Sequence, residues 1–148
     1  PFQVNLAYQV PRNKKSDYIG KAELERQRDV MDSGDAPFKM KMVGITLGGK
    51  EITDYAPDFW LIADSDGNDM GYVTSPWWSP ELETNIALAW VPWSSSEVGT
   101  KLQVKLPDEY AINPGEPVNG EVVEVPFRES VNPNKREVEA AKGLDFAE

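Results

Sequence analysis

Between residues 38 and 127 the chain is cut into short apolar runs by clusters of Gly, Pro, Asp and Asn, and this punctuation constrains the fold more than any other feature. Within the runs the apolar residues recur at the period of two that a half-buried strand requires. Residues 38–47 place apolar side chains at 38, 40 and 42, then at 43, 45 and 47. The parity switches beside Gly44, as a bulge or sharp bend would require. Gly48-Gly49 turns the chain, residues 59–63 read as a second strand, and residues 64–68 carry the turn chemistry of a hairpin into a strand at 71–75. Pro76-Trp77-Trp78-Ser79-Pro80 reads as a loop because of its prolines. Residues 86–91 form an apolar run of strand length, expected to be central and covered on both faces. Residues 101–106 alternate, 107–117 form a turn-rich loop, and 118–127 supply a last strand. About six strands at this spacing predict a mainly β fold, a small six-stranded Greek-key-like barrel whose closure removes exposed edges.

The flanking segments read differently. Residues 2–10 alternate, with Phe2, Val4, Leu6, Tyr8 and Val10 on one face, and predict a strand ended by Pro11. Residues 21–31 are rich in helix formers, with Leu24 and Met31 on one face, and predict a short helix closed by Ser33-Gly34 and Pro37. The tail from Arg128 is mixed in charge and is expected to hold a loose helix over 135–142. An N-terminal strand with five large apolar residues on one face needs a partner. The expectation is that it packs on a further domain or on a second copy, giving a homodimer by strand addition or swapping.

Composition restricts the chemistry. The 148 residues contain no cysteine and no histidine, which excludes disulfides, thiolate nucleophiles, Cys/His zinc sites and imidazole-based triads. A net charge of −10 repels phosphate backbones and anionic lipid, so no nucleic-acid and no membrane partner is expected. No apolar run approaches the ~18–20 residues of a membrane span. The N-terminus also lacks the basic and apolar regions of an export signal, which points to a cytoplasmic home. The chain begins at Pro1 without an initiator Met, compatible with processing, trimming or a piece of something longer.

Several motifs invite a chemical reading. Residues 44–50 have the glycine and lysine spacing of a phosphate loop, but Glu51 stands where the magnesium-binding hydroxyl belongs and no helix follows, so a glycine hairpin turn is the plainer reading. Residues 64–69 gather oxygen ligands, yet Gly67 is fourth and Ser75 twelfth, not the glycine at six and glutamate at twelve of a calcium loop. A polar turn accounts for them, and no metal site is assigned. Trp60 and Trp90 are expected in the core. Trp77 and Trp78, adjacent in a proline-bounded loop, are read either as buried or as a stacking platform for a flat ligand or a sugar. The carboxylates are scattered, so no catalytic pair is assigned.

Gly71-Tyr72-Val73-Thr74-Ser75, then Ser79-Pro80-Glu81-Leu82, then Asn85-Ile86-Ala87-Leu88-Ala89-Trp90-Val91-Pro92 resemble the C-terminal domain of the glycine-cleavage T-protein (aminomethyltransferase) family. Asp17 to Leu24, Gly99 to Val104, and Val122-Val123 with Pro126-Phe127 resemble its entry segment, next strand and closing strand, in order. Pro76-Trp77-Trp78 departs from the family, which has a glycine after the Thr-Ser pair. The resemblance implies a small β-barrel at the end of a tetrahydrofolate-dependent aminomethyltransferase or a related demethylase. It divides the chain into the end of a preceding folate-binding domain plus a linker helix (1–35), the barrel (36–128) and a charged tail (129–148). The catalytic portion and most of the folate cavity would lie in preceding domains, the expected partners, with the barrel closing the cavity and no catalytic residue of its own. Trp77, Trp78 and Arg128 are the expected cofactor-binding residues, Arg128 because a cation after the closing strand could meet folate carboxylates. The alternative is a stand-alone binding or interaction module using the Trp77-Trp78 loop.

Overall fold

A computed structural model describes residues 1–12 and 14–128. The helix expected over 135–142 lies outside the described residues. Six strands close into a barrel: β1 (Met40–Leu47), β2 (Trp60–Ala63), β3 (Asp69–Ser79), β4 (Thr84–Pro92), β5 (Lys101–Val104) and β6 (Val118–Val123). Their order around the barrel is β1-β4-β3-β2-β5-β6, every neighbour antiparallel. Strands β2, β3 and β4 form a meander and β1 returns beside β4, the Greek-key arrangement. One helix, α1 (Lys21–Asp32), precedes the barrel as expected.

The period of two is realised with little exception. Val43, Ile45 and Leu47 of β1 meet Ala87, Ala89 and Val91 of β4, Ile62 and Trp60 of β2, Val73 of β3, and Leu102, Val104 and Val122 of the closing strands in one buried cluster. In β4 the inward residues Asn85, Ala87, Ala89 and Val91 are buried, while Ile86, Leu88 and Trp90 face outward and are half-buried. The expectation of two fully covered faces is therefore corrected. Trp90 is not a core residue either: it lies on the outer face between Met42 and Tyr72 in the cross-strand register. Trp60 is buried as expected.

The parity switch in residues 38–47 has a different cause from a bulge. β1 pairs with β4 in unbroken register from Met40 to Leu47. Its outer face is apolar in the first half because other segments cover it there, and at Gly44 a Cβ would collide with Val125 Cγ1 and stand 3.0 Å from Phe127 Cε1. The bulges are in the β2–β3–β4 meander, where the register slips at Met70 and at Thr74. Thr74 Oγ1 donates to Leu88 O at 3.1 Å across the second slip.

Residues 2–10 are not a strand. They form two 3₁₀ turns, Phe2–Val4 and Ala7–Gln9, joined through Asn5 at φ 60°. The physical reason is that the closed barrel leaves only the short first part of β1 open, too little for a strand of this length to join. β6 pairs with β1 only from Gly44 onward, leaving the carbonyls of Met40 and Met42 without a ladder partner on that side. Gln3 Nε2 and Asn5 Nδ2 donate to them at 2.9 and 2.7 Å, so side-chain amides cap the free edge where a backbone ladder stops. Phe2 is 3% exposed, with the Arg28 guanidinium 5.2 Å from its ring.

The end of the barrel near the β3–β4 hairpin is sealed by residues 48–52. Asn85, buried in the interior, accepts from Ile52 N–H at 3.0 Å and donates to Lys50 O at 2.9 Å and Gly48 O at 3.4 Å. Ile52 O in turn accepts from Trp78 N–H at 2.8 Å. Replacing Asn85 by Ala orphans the Ile52 amide and two carbonyls, and is expected to cost about 2–4 kcal/mol in urea unfolding. Gly44→Ala is expected to cost about 1–3 kcal/mol in the same measurement, by displacing the segment after β6 from the outer face.

Candidate functional site

Of the three residues singled out from sequence, Trp77 and Trp78 lie on the β3–β4 hairpin and Arg128 meets its tip. β3 does not stop at Ser75 but continues to Ser79, so Trp77 and Trp78 are strand residues paired with Ile86 and Asn85, and the expected loop is absent. Pro76 fits in the strand because its nitrogen shares the side of Trp78 N–H, which points away from β4 toward Ile52, so no ladder bond is asked of it. After the slip at Thr74, alternation sends Pro76 and Trp78 inward and Trp77 outward. Pro76 is buried, Trp78 half-buried and Trp77 49% exposed. The two indoles therefore sit on opposite faces and do not make a double platform. That removes the feature on which the stand-alone binding module depended.

Arg128 reaches the tip of this hairpin from the segment after β6. Its Nε lies 3.1 Å from Glu81 Oε1, both side chains more than half exposed. The turn itself is shaped by Glu83 at φ 49° and by Leu82 N–H donating to Ser79 Oγ at 3.3 Å. The arrangement presents one outward indole, one inward indole at the barrel end and one guanidinium that retains free donors. Chemically it can stack a ring and hold a carboxylate; it contains no acid–base pair.

Other candidates are consumed by the fold. In the glycine segment, Gly48 N–H donates to Asn119 O at 3.0 Å and Lys50 N–H to Tyr110 O at 2.8 Å. Lys50 Nζ donates to Glu109 O at 3.2 Å. These groups would have to leave their partners to cradle a phosphate. Nor is the segment a hairpin turn, since β1 and β2 are not neighbours; it is the plug pinned by Asn85. Gly49 has φ 103°, and a Cβ there would stand 2.6 Å from Leu106 Cδ1, so the sharp turn requires glycine. Residues 64–68 form the polar turn of the β2–β3 hairpin. The Asp64 carboxylate accepts from Asn68 and Asp66 N–H, both at 2.9 Å, and these bonds lower its pKa.

Sequence reasoning missed two places. One is a cleft of about 420 Å³ between the N-terminal turns and α1, lined by Tyr8, Arg12, Arg28 and Asp32, where Arg12 holds Asp32 through paired bonds of 2.8 and 3.0 Å. Its arginines are engaged within the chain, Arg28 also donating to Val10 O. The other is the opposite end of the barrel, at Phe38, Lys41 and Trp93. The available signal was Lys41, a charge at an inward register of an otherwise apolar strand face. Among the described residues no helix is long and apolar enough to cross a membrane.

Residues 41–128 match the glycine cleavage T-protein C-terminal barrel domain. The chain is 35% identical over 106 residues to the aminomethyltransferase of Synechococcus sp. (strain CC9902), covering 72% of this chain and 26% of that protein. It is 30% identical over 127 residues to the aminomethyltransferase of Geobacillus sp. (strain WCH70), covering 86% and 30%. The crystal structure of the glycine cleavage system aminomethyltransferase T from Bartonella henselae shares the fold, with a TM-score of 0.62 and 23% identity over 87% of this chain and 32% of that one. The chain thus spans about a quarter to a third of the length of these relatives. Because the Arg128–Glu81 pair is exposed, Glu81→Gln is expected to change stability by less than about 1 kcal/mol in urea unfolding.

Proposed function

The chain belongs to the glycine cleavage T-protein C-terminal barrel family, and from that premise we propose that it acts as the cavity-closing part of a tetrahydrofolate-dependent aminomethyl- or methyltransferase. The carrying observation is the match over residues 41–128 to this one barrel, against relatives nearly three times as long as this chain. The barrel offers a ring surface and a guanidinium at one hairpin and no acid–base machinery, which suits a wall of a site better than its reacting centre.

In this reading Trp77, Trp78 and Arg128 approach the folate, Arg128 exchanging its exposed contact with Glu81 for a folate carboxylate. Residues 1–35 form the end of the preceding folate-binding domain and the linker helix, and 129–148 a charged tail. The preceding domains are the partner, tetrahydrofolate is bound by the assembled protein and not by this chain alone, and the setting is cytoplasmic. The closed barrel supports the role of a rigid wall, since each strand is paired with a neighbour on both sides around the ring and the short open part of β1 is capped by Gln3 and Asn5.

The test replaces the barrel of the Synechococcus sp. (strain CC9902) aminomethyltransferase with residues 36–128 of this chain. The chimera is expected to transfer aminomethyl carbon in the presence of tetrahydrofolate, while the 148-residue chain alone does not. Arg128→Ala in the chimera is expected to raise the KM for tetrahydrofolate about tenfold with little change in kcat. Turnover by the isolated chain, or a chimera that folds by circular dichroism yet is inactive, would overturn the reading.

A further inference from the structure

At the barrel end opposite the Asn85 plug, two lysines border one indole. Lys41 pairs with Val91 in the β1–β4 register, at an inward position of β1. Its Nζ lies 5.0 Å from the centroid of the Trp93 ring. Lys39 is tied to the same residue through its carbonyl, which accepts from Trp93 N–H at 2.9 Å. Phe38 is the second aromatic, its ring 6.3 Å from that of Trp93 and tilted by 39°. Beside these rings opens a cleft of about 410 Å³, walled by Pro37, Phe38, Lys39, Pro92 and Trp93.

The two lysines here share their lack of an ion pair with Lys14, Lys15, Arg28 and Lys50 among the described residues, but they stand together beside aromatic rings and a cleft. Acidic residues outnumber basic ones by 25 to 15. Arg12, Lys21, Arg26, Lys101, Lys105 and Arg128 each have a carboxylate partner. Among the described residues no ion pair includes Lys39 or Lys41. Lys41 is half-buried, and desolvation pushes its pKa below the ordinary lysine range. A desolvated ammonium without a counterion is where an incoming anion gains most, and two aromatic faces beside it suit a flat ring.

We propose that the corner formed by Phe38, Lys39, Lys41 and Trp93 binds a small planar aromatic carboxylate, its ring against Trp93 and its carboxylate between the two lysines. Ring and charge are both needed, because the cleft supplies apolar contact, Lys39 lines it, and the Lys41 ammonium stands over the Trp93 ring that forms its wall. The site is independent of the family reading and of the Trp77–Arg128 hairpin, so it can be tested on the 148-residue chain itself.

Benzoate is the probe, titrated into ¹⁵N-labelled protein while the Trp93 indole Nε1–H resonance, assigned with Trp93→Phe, is followed. A saturable shift with a Kd on the order of millimolar is expected for a ligand this small. Acetate, which has the charge without the ring, and benzyl alcohol, which has the ring without the charge, are each expected to bind at least about fivefold more weakly. Lys41→Met is expected to weaken benzoate about fivefold to tenfold and Lys39→Met about twofold to fivefold, while Lys41→Arg retains binding within about twofold. Lys105→Met, distant in the fold and paired with Asp69, leaves the titration unchanged. A shift that fails to saturate, that acetate or benzyl alcohol reproduces equally, or that survives Lys41→Met would overturn the assignment.

Discussion

Asn85 faces the barrel interior, and a polar side chain there is tolerated only when its hydrogen-bonding positions are met. Its oxygen takes the Ile52 amide and its nitrogen serves the Lys50 and Gly48 carbonyls. One side chain on β4 thereby fixes a connection that belongs to no strand and lays Ile52, fully buried, across the open end. The consequences spread from there. Ile52 O holds Trp78, which keeps the last part of β3 extended where β2 has ended and can no longer support it. The hairpin that carries Trp77, Trp78 and the contact to Arg128 is tied through these bonds to the plug beneath it.

The opposite end of β1 meets the same requirement by different means. Where β6 stops, two backbone carbonyls would be left unpaired, and the amides of Gln3 and Asn5 reach them. The N-terminal turns are thus an edge cover for the barrel, and Phe2 is buried as their anchor. This accounts for an apolar alternation that looks like a strand: Phe2, Val4 and Tyr8 are drawn to a surface, but the surface is a closed barrel wall and offers them no ladder.

The match to a C-terminal barrel family and the absence of an acid–base pair at the hairpin are two aspects of one fact. A small closed barrel fills its interior with side chains, here Val, Ile, Leu, Ala and Trp60, and has no room for a ligand inside. Whatever it contributes to binding must come from its ends and its outer face. The β3–β4 hairpin and the Phe38–Trp93 corner, where rings meet exchangeable or unpaired cations, are at those ends.

The strand count, the barrel, α1 and the polar turn of the β2–β3 hairpin follow from alternation and turn chemistry, which are local and so written in the residue order. The family signature between Gly71 and Pro92 is legible for the same reason. What the order of residues could not decide is which apolar side chains face the interior. Met40, Met42 and Trp90 alternate as core residues do, yet lie outside, because burial on an outer face depends on segments distant in the chain. Trp77 and Trp78 read as a loop because proline forbids a ladder bond, and only the tertiary fold reveals that β3 has no ladder on that side to lose. Lys41 likewise gives no sign in sequence of its partner Trp93, fifty-two residues on, since the antiparallel β1–β4 register is what brings them together.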